Sequence, residues 1–298
     1  MARLNLDGKS IPMMSICMIG GGGFIGSHLC EKLVAETNHK AVVVDVSSEK
    51  IDHLLDRSLP WAHRIEFHQL NIKSDSRLET LIKSSDLTIN LAAICTPADY
   101  NTRPLETIYS NFVDSIPVIK YCTENKKRLI HFSTCEIYGK TIGSFLPEEF
   151  RKSLLRGEPL KLVDGGKSQR TFLYIKDAID AVALMIDNPE RANGYIFNVG
   201  NPDNEVSVKE LAALMIKAYA KVSGAPASSM STVNVSAEDF YGKGYDDSDR
   251  RIPDMTFITR QLAWKPRTPL DELLDVTLQY QHRTYSRAIE RELSKPSN

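Results

Sequence analysis

A chain of 298 residues is long enough for two domains of ordinary size, or one large α/β unit, with a core that needs no staples. Hydrophobic residues at 42% and charged residues at 25% exclude wholesale disorder, and a net charge of −1 leaves no basic surplus to draw the chain onto nucleic acid or an anionic membrane. Five cysteines, an odd number with no Cys-x-x-Cys pair, exclude a disulfide framework and a zinc ribbon, so no metal is expected.

The N-terminal segment is a poor signal peptide, and no apolar run approaches the ~20 residues of a bilayer span. A cytoplasmic location is therefore expected.

In chain order, SICMIG (15–20) reads as a short strand running into glycines. Residues 24–36 place Ile25, Leu29, Leu33 and Val34 on one helical face. AVVVDV (41–46), IEFHQLNI (65–72) and LTINLAA (87–93) read as strands. A helical stretch follows around 104–124, then a strand at RLIHFSTC (128–135). Strands separated by helices imply parallel pairing, because parallel neighbours need crossover connections.

Further on, LKLVDGG (160–166) reads as a strand and turn, 175–189 as a helix stopped by proline, and YIFNVG (195–200) as a strand. A helix covers 208–222, and 270–293 is a long terminal helix, interrupted or continuous. The stretch 223–253, rich in Ser, Gly and Asp, gives the weakest signal for order. The expected fold is α/β, a doubly wound parallel sheet over residues 1–150 with a smaller C-terminal substrate-binding part over 151–298.

Between the first strand and first helix, Gly20, Gly23 and Gly26 form G-x-x-G-x-x-G, with Phe24 and Ile25 inside the motif. Glycine permits a tight turn and lets backbone N–H groups approach a diphosphate, which the helix N-terminus attracts. Asp45 closes the next strand, 19 residues after Gly26, where an acid binds adenosine ribose hydroxyls. No arginine follows Asp45 directly, which favours NAD over NADP. Asn71 and Ile72 are candidates to flank the adenine, and Leu91, Ala92 and Ala93 form a strand end slim enough for a cofactor to approach. The plainer alternatives are an ordinary βα turn, a loop-capping Asp45 and unexceptional strand ends.

These segments, with the Asn111 helix, STCEIYG (133–139), QRTFLYIKD (169–177) and Asn198-Val199-Gly200, resemble extended short-chain dehydrogenase/reductases acting on nucleotide sugars, a Rossmann-type family. Longer strings narrow the resemblance to the plant UDP-apiose/UDP-xylose synthase family of UDP-glucuronate decarboxylases. They are AAICTPADYNTRP (92–104), HFSTCEIYGKTIGSFLPEE (131–149), LKLVDGGKSQRTF (160–172), NPERANGYIFNVGNP (188–202) and YDDSDRRIPDM (245–255).

The resemblance implies a recycled NAD that oxidises C4 of UDP-glucuronate. The β-keto acid then loses CO₂, and the ketone becomes UDP-xylose or, after ring contraction, UDP-apiose. It implies that Thr134 hydrogen-bonds the sugar hydroxyl and that Cys95, Tyr100, Cys135 and Glu136 line the sugar pocket. It further implies that Arg170 and Arg251 neutralise the UDP diphosphate and that Tyr245 packs near the uridine. Guanidinium forks suit diphosphate oxygens, and a carboxylate moves protons. Read without the resemblance, the cysteines are equally small buried hydrophobes, Glu136 a solvated acid, the arginines surface ion-pair partners and Tyr100 a core or loop aromatic.

One departure stands out. The family's acid–base pair is Tyr-x-x-x-Lys on a helix after STCEIYG, and no tyrosine of this chain has lysine four positions later. GKTIGSFLPEE (139–149) runs directly into FRKSLLRGEPLKLVDGG (150–166), where the family has a long segment carrying that helix and the next sheet strand. Family-like sequence on both sides points to a deletion, as alternative splicing or a faulty gene model would produce. The expectation is impaired turnover and an exposed edge at strand 128–135. The alternatives are a catalytically incompetent NAD-binding isoform or regulatory partner of a full-length synthase, and a product that folds poorly. A homodimer and a mixed dimer are both left open.

Overall fold

The computed structural model describes residues 3–95, 102–135, 153–241 and 250–293. Its described residues divide into two compact units, Met1–Thr134 with Ile179–Tyr195, and Cys135–Ala178 with Ile196–Asn298.

The first unit is built on β1 (Ser15–Ile19), α1 (Phe24–Ala35), β2 (Lys40–Asp45), β3 (Ile65–Gln69), α2 (Arg77–Ser84), β4 (Leu87–Asn90), α3 (Pro104–Asn111), α4 (Ile116–Glu124) and β5 (Arg128–His131). The strands form one parallel sheet in the order β3-β2-β1-β4-β5. The chain reverses its winding between β1 and β4, the point at which doubly wound sheets open a ligand crevice. Central strands covered on both faces need apolar residues at nearly every position, and β1, β2 and β4 are buried almost throughout. Cys17, Ile19 and Val44 pack with Leu78, Ile82, Val118 and Cys122.

β5 is different. Its residues are only partly buried or exposed, and among the described residues it has one ladder neighbour, β4. Doubly wound sheets commonly carry a sixth strand beyond the fifth; here the described sheet stops, so the expected open edge is present.

The predicted helix over 104–124 is two helices. α3 ends at Phe112 (φ −121, ψ −62), a 3₁₀ turn covers Val113–Ser115, and α4 begins with Pro117 in its first turn. Pro117 has no N–H to give Val113, so a continuous helix is not available.

The second unit contains β6 (Leu160–Val163), β7 (Gln169–Thr171), α5 (Ile175–Asp187), which crosses the unit boundary, then β8 (Glu205–Ser207), α6 (Val208–Ser223), β9 (Thr232–Val235), α7 (Ala237–Tyr241), α8 (Thr256–Leu262) and α9 (Leu270–Leu293). β6 pairs with β9 in parallel, and β7 with β8 antiparallel. α6 starts on a capping box, Ser207 with Glu210, and ends at Gly224 in the left-handed conformation, φ 73. Its face of Leu211, Met215 and Tyr219 packs with Leu160, Leu162, Leu274 and Leu278. α9 runs without a break.

YIFNVG (195–200) does not take up strand structure, and Ile196 is 76% exposed. A six-residue apolar run is ambiguous by periodicity alone. The 223–253 stretch carries β9 and α7, while 242–249 lie outside the described residues.

Asp177, 6% exposed, ties α5 to the chain before α9. Its Oδ2 accepts from the Arg267 and Thr268 backbone N–H groups at 3.0 and 2.9 Å, and its carbonyl accepts from Trp264 Nε1 at 3.2 Å. Asp177→Ala strands two N–H donors and is expected to cost about 2–5 kcal/mol, measured by urea unfolding.

Among the described residues no helix is long and apolar enough to cross a membrane, and no group of three or more potential metal ligands occurs.

Candidate functional site

The site grows from the turn after β1. Gly20 has φ +74, and its N–H bonds the Val44 carbonyl at 2.8 Å. A Cβ at Gly20 would sit 2.7 Å from the Ala92 backbone nitrogen, and one at Gly26 2.5 Å from the Gly21 carbonyl oxygen. Gly20 thus brings the loop against the strand end after β4, and Gly26 brings α1 against the turn. The first turn of α1 has no acidic residue of its own to offset the positive potential of its N–H groups.

Asp45, at the end of β2, is already oriented. Its Oδ2 accepts from Gly22 N at 2.9 Å and its Oδ1 from Val46 N at 2.7 Å. Each carboxylate oxygen keeps a further lone pair for a ligand hydroxyl.

A cavity of about 640 Å³ opens at these strand ends. Of the residues expected to bind a cofactor, Gly20, Gly23, Asp45, Asn71, Ile72, Leu91, Ala92 and Ala93 line it. Phe24, Ile25 and Gly26 do not; Phe24 and Ile25 lie exposed at the start of α1, and Gly26 supports the turn from behind. The cradle and the pre-oriented acid fit a dinucleotide: the loop admits no side chain at Gly20, and Asp45 faces the same space.

Sequence reasoning passed over Lys73, Ile94, Glu106, Tyr109, Ser110 and Asp114, which also line the cavity, beside Ile19, Val44, Val46 and Leu70 from the strands and their ends. Glu106, Tyr109 and Ser110 are spaced i, i+3, i+4 along α3, a signal that was available.

Asn111 holds this wall in place. Its Oδ1 accepts from Ile94 N at 2.7 Å and its Nδ2 donates to Ile94 O at 2.9 Å, pairing the loop after β4 as a strand would. Asn111→Ala is expected to cost about 1–3 kcal/mol, and Asn111→Gln, one methylene too long, is not expected to restore it; urea unfolding tests both.

The NAD dependent epimerase/dehydratase family matches residues 16–152 and 142–200, over half of the chain. The chain belongs to that family. NAD is the cofactor the family carries.

Its relatives include UDP-D-apiose/UDP-D-xylose synthase 2 of Arabidopsis thaliana, 54% identical over 99% of this chain and 98% of the relative. The UDP-D-apiose/UDP-D-xylose synthase of Oryza sativa subsp. japonica is 53% identical, over 99% and 96%. The fold matches the UDP-glucuronic acid 4-epimerase of Bacillus cereus, solved with UDP-glucuronic acid and NAD, with a TM-score of 0.75 at 19% identity, over 91% of this chain and 100% of that one.

The family match comes in two pieces that meet at 142–152. The Arabidopsis alignment spans 380 residues against 298 in this chain, and 380 less 298 leaves at least 82 positions with no counterpart here.

The residues expected around the sugar lie on segments that follow β4 and β5. β4 and β5 end in register, Asn90 beside His131, so the segments bearing Cys95 and Thr134 leave the same end of the sheet. Cys95, Thr134 and Cys135 are exposed, which removes the buried-hydrophobe reading of both cysteines. The buried cysteines are Cys17, Cys30 and Cys122, and burial pushes the Cys17 and Cys30 thiols up to about 12. Tyr100, Glu136 and Tyr245 lie outside the described residues.

In the second unit, Arg170 on β7 is 7% exposed, not a surface side chain, and its Nη1 donates to the Gln169 carbonyl at 2.7 Å. Arg251 keeps Nε and Nη2 buried with no hydrogen-bond partner among the described residues. Buried guanidinium nitrogens of this kind are costly unless a ligand reaches them.

Proposed function

We propose that this chain binds NAD and UDP-glucuronate as the synthase relatives' site would, with its acid–base machinery incomplete and its turnover impaired. The observation that carries the reading is the combination of an intact glycine-and-Asp45 cradle with a sequence that lacks Tyr-x-x-x-Lys. Bound NAD supplies a hydride acceptor that returns what it takes.

The chain's own residues do the rest. Gly20 and Gly23 admit the diphosphate to the loop, and both Asp45 oxygens receive the ribose hydroxyls. Arg170 and Arg251 fork onto the UDP diphosphate, a role supported by the two buried Arg251 nitrogens that have no hydrogen-bond partner among the described residues. Thr134 hydrogen-bonds the reacting sugar hydroxyl, while Cys95, Tyr100, Cys135 and Glu136 line the sugar and Tyr245 packs near the uridine. The sequence holds no Tyr-x-x-x-Lys pair to take the hydroxyl proton; on this reading the missing positions, taken to lie between residues 149 and 150, carried it. The site residues, the boundary near 150 and a cytoplasmic setting all belong to this reading.

A second reading is a regulatory partner that joins a full-length relative in a mixed dimer. It is favoured by Leu105, Ile108, Phe112, Ile116 and Ile119, five large apolar residues left exposed along α3 and α4. The test is binding of NAD and UDP-glucuronate by calorimetry, with co-purification against a tagged full-length relative. A chain that binds neither ligand contradicts the first reading, and one that never co-purifies contradicts the second.

A further inference from the structure

The cofactor cavity has a wall that neither the glycine loop nor the strand ends supply. α3 lays Tyr109 along it, the one aromatic residue in the lining among the described residues. The Tyr109 ring is half exposed, so a face of it is not covered by protein.

Lys73 stands beside it. Its Nζ lies 5.8 Å from the Tyr109 ring centroid, a cation–π contact between the turn after β3 and α3. That turn is fixed: Asn71 Oδ1 accepts from Lys73 N at 3.0 Å, and the Asn71 carbonyl accepts from Ser74 and Asp75. Lys73 is also the one cation in the lining among the described residues, facing a set that includes Asp45, Glu106 and Asp114.

The placement follows from the order of the strands. With the diphosphate on Gly20 and Gly23 and the ribose on Asp45, the adenine lies beyond Asp45, toward the end of β3, where Asn71 and Ile72 line the cavity. A neutral base there needs a flat surface more than a charge. We propose that Tyr109 is the surface on which the adenine of the dinucleotide stacks, and that Lys73, seated against the ring, holds it in place. This rests on the NAD reading above and adds a contact residue to it.

The test is calorimetry on the full chain with NAD and with ADP, which keeps the adenosine diphosphate and lacks the nicotinamide. Tyr109→Ala is expected to weaken both ligands about tenfold, the effect of losing one stacking partner. Tyr109→Phe, which keeps the ring, should stay within about twofold, and Lys73→Ala should lose about threefold. Melting without ligand should not change in Tyr109→Ala, since the side chain is half exposed. Undiminished binding of both ligands by Tyr109→Ala overturns the proposal. So does equal loss in Tyr109→Phe, which would assign the contact to the hydroxyl, or a loss for NAD without one for ADP. An unaltered chain that binds neither ligand removes the NAD reading itself, whereas intact binding by both the unaltered chain and Tyr109→Ala removes only the stacking contact.

Discussion

Supplied with NAD and UDP-glucuronate, the purified chain is expected to form UDP-xylose and UDP-apiose at least about 100-fold more slowly than a full-length relative. A positioned acid or base contributes about 10²–10⁴ in rate, and here the tyrosine and the lysine that tunes it are both absent. A replacement would have to be held within hydrogen-bond reach of the proton it moves. Mass spectrometry of the nucleotide sugars gives the readout, and NAD affinity measured on the same sample separates a missing acid–base pair from a collapsed site. Turnover at the relative's rate would sink the reading.

Gly20→Ala is expected to abolish NAD binding and lower the melting temperature. Two costs add. The left-handed φ of +74 strains any residue with a Cβ, about 1–3 kcal/mol, and the Cβ would press on the Ala92 backbone at 2.7 Å, which cannot swing aside as a side chain does, for about 1–3 kcal/mol more. Gly194→Ala is the matched control. Its φ is +79, yet a Cβ there meets nothing within 4 Å, so it should pay the strain alone and leave NAD affinity unchanged. Loss of NAD binding in Gly194→Ala, or retention in Gly20→Ala, would show that the close approach to Ala92 does not matter.

The first unit was legible because its signals are strong and agree. β1 and β2 carry continuous apolar runs, β4 is buried at every position, and the glycines and Asp45 stand at the strand ends where the topology needs them. The second unit was less so. β7, β8 and β9 are three or four residues long, and β9 is largely exposed, so no alternation marks it. YIFNVG misled because a short apolar run does not by its periodicity tell strand from non-strand, and the break before α4 needed the consequence of Pro117 to be carried four residues back. Within the cavity, strand-end residues were found through their motif. Tyr109 and Lys73 were not: the spacing of Tyr109 with Glu106 and Ser110 marks a shared helix face, but which cavity that face and the Lys73 turn border is set only by the folded chain.

The first unit is not contiguous in the chain, since residues 179–195 return to it after an excursion through the second. That returning segment is tied in by charged contacts to the chain's beginning: Arg3 to Asp187, Lys9 to Glu190 and Arg191 to Asp7. Arg128, at the start of β5, donates to the Ile186 carbonyl and to Asn193. On the ribosome, where synthesis proceeds at about 5–20 residues per second, the five described strands are all made by His131, but the contacts that fasten them arrive more than fifty residues later. For several seconds the nascent sheet waits, its open β5 edge unlatched, for a segment not yet made. A fragment cut after Thr134 would remain in that unlatched state permanently.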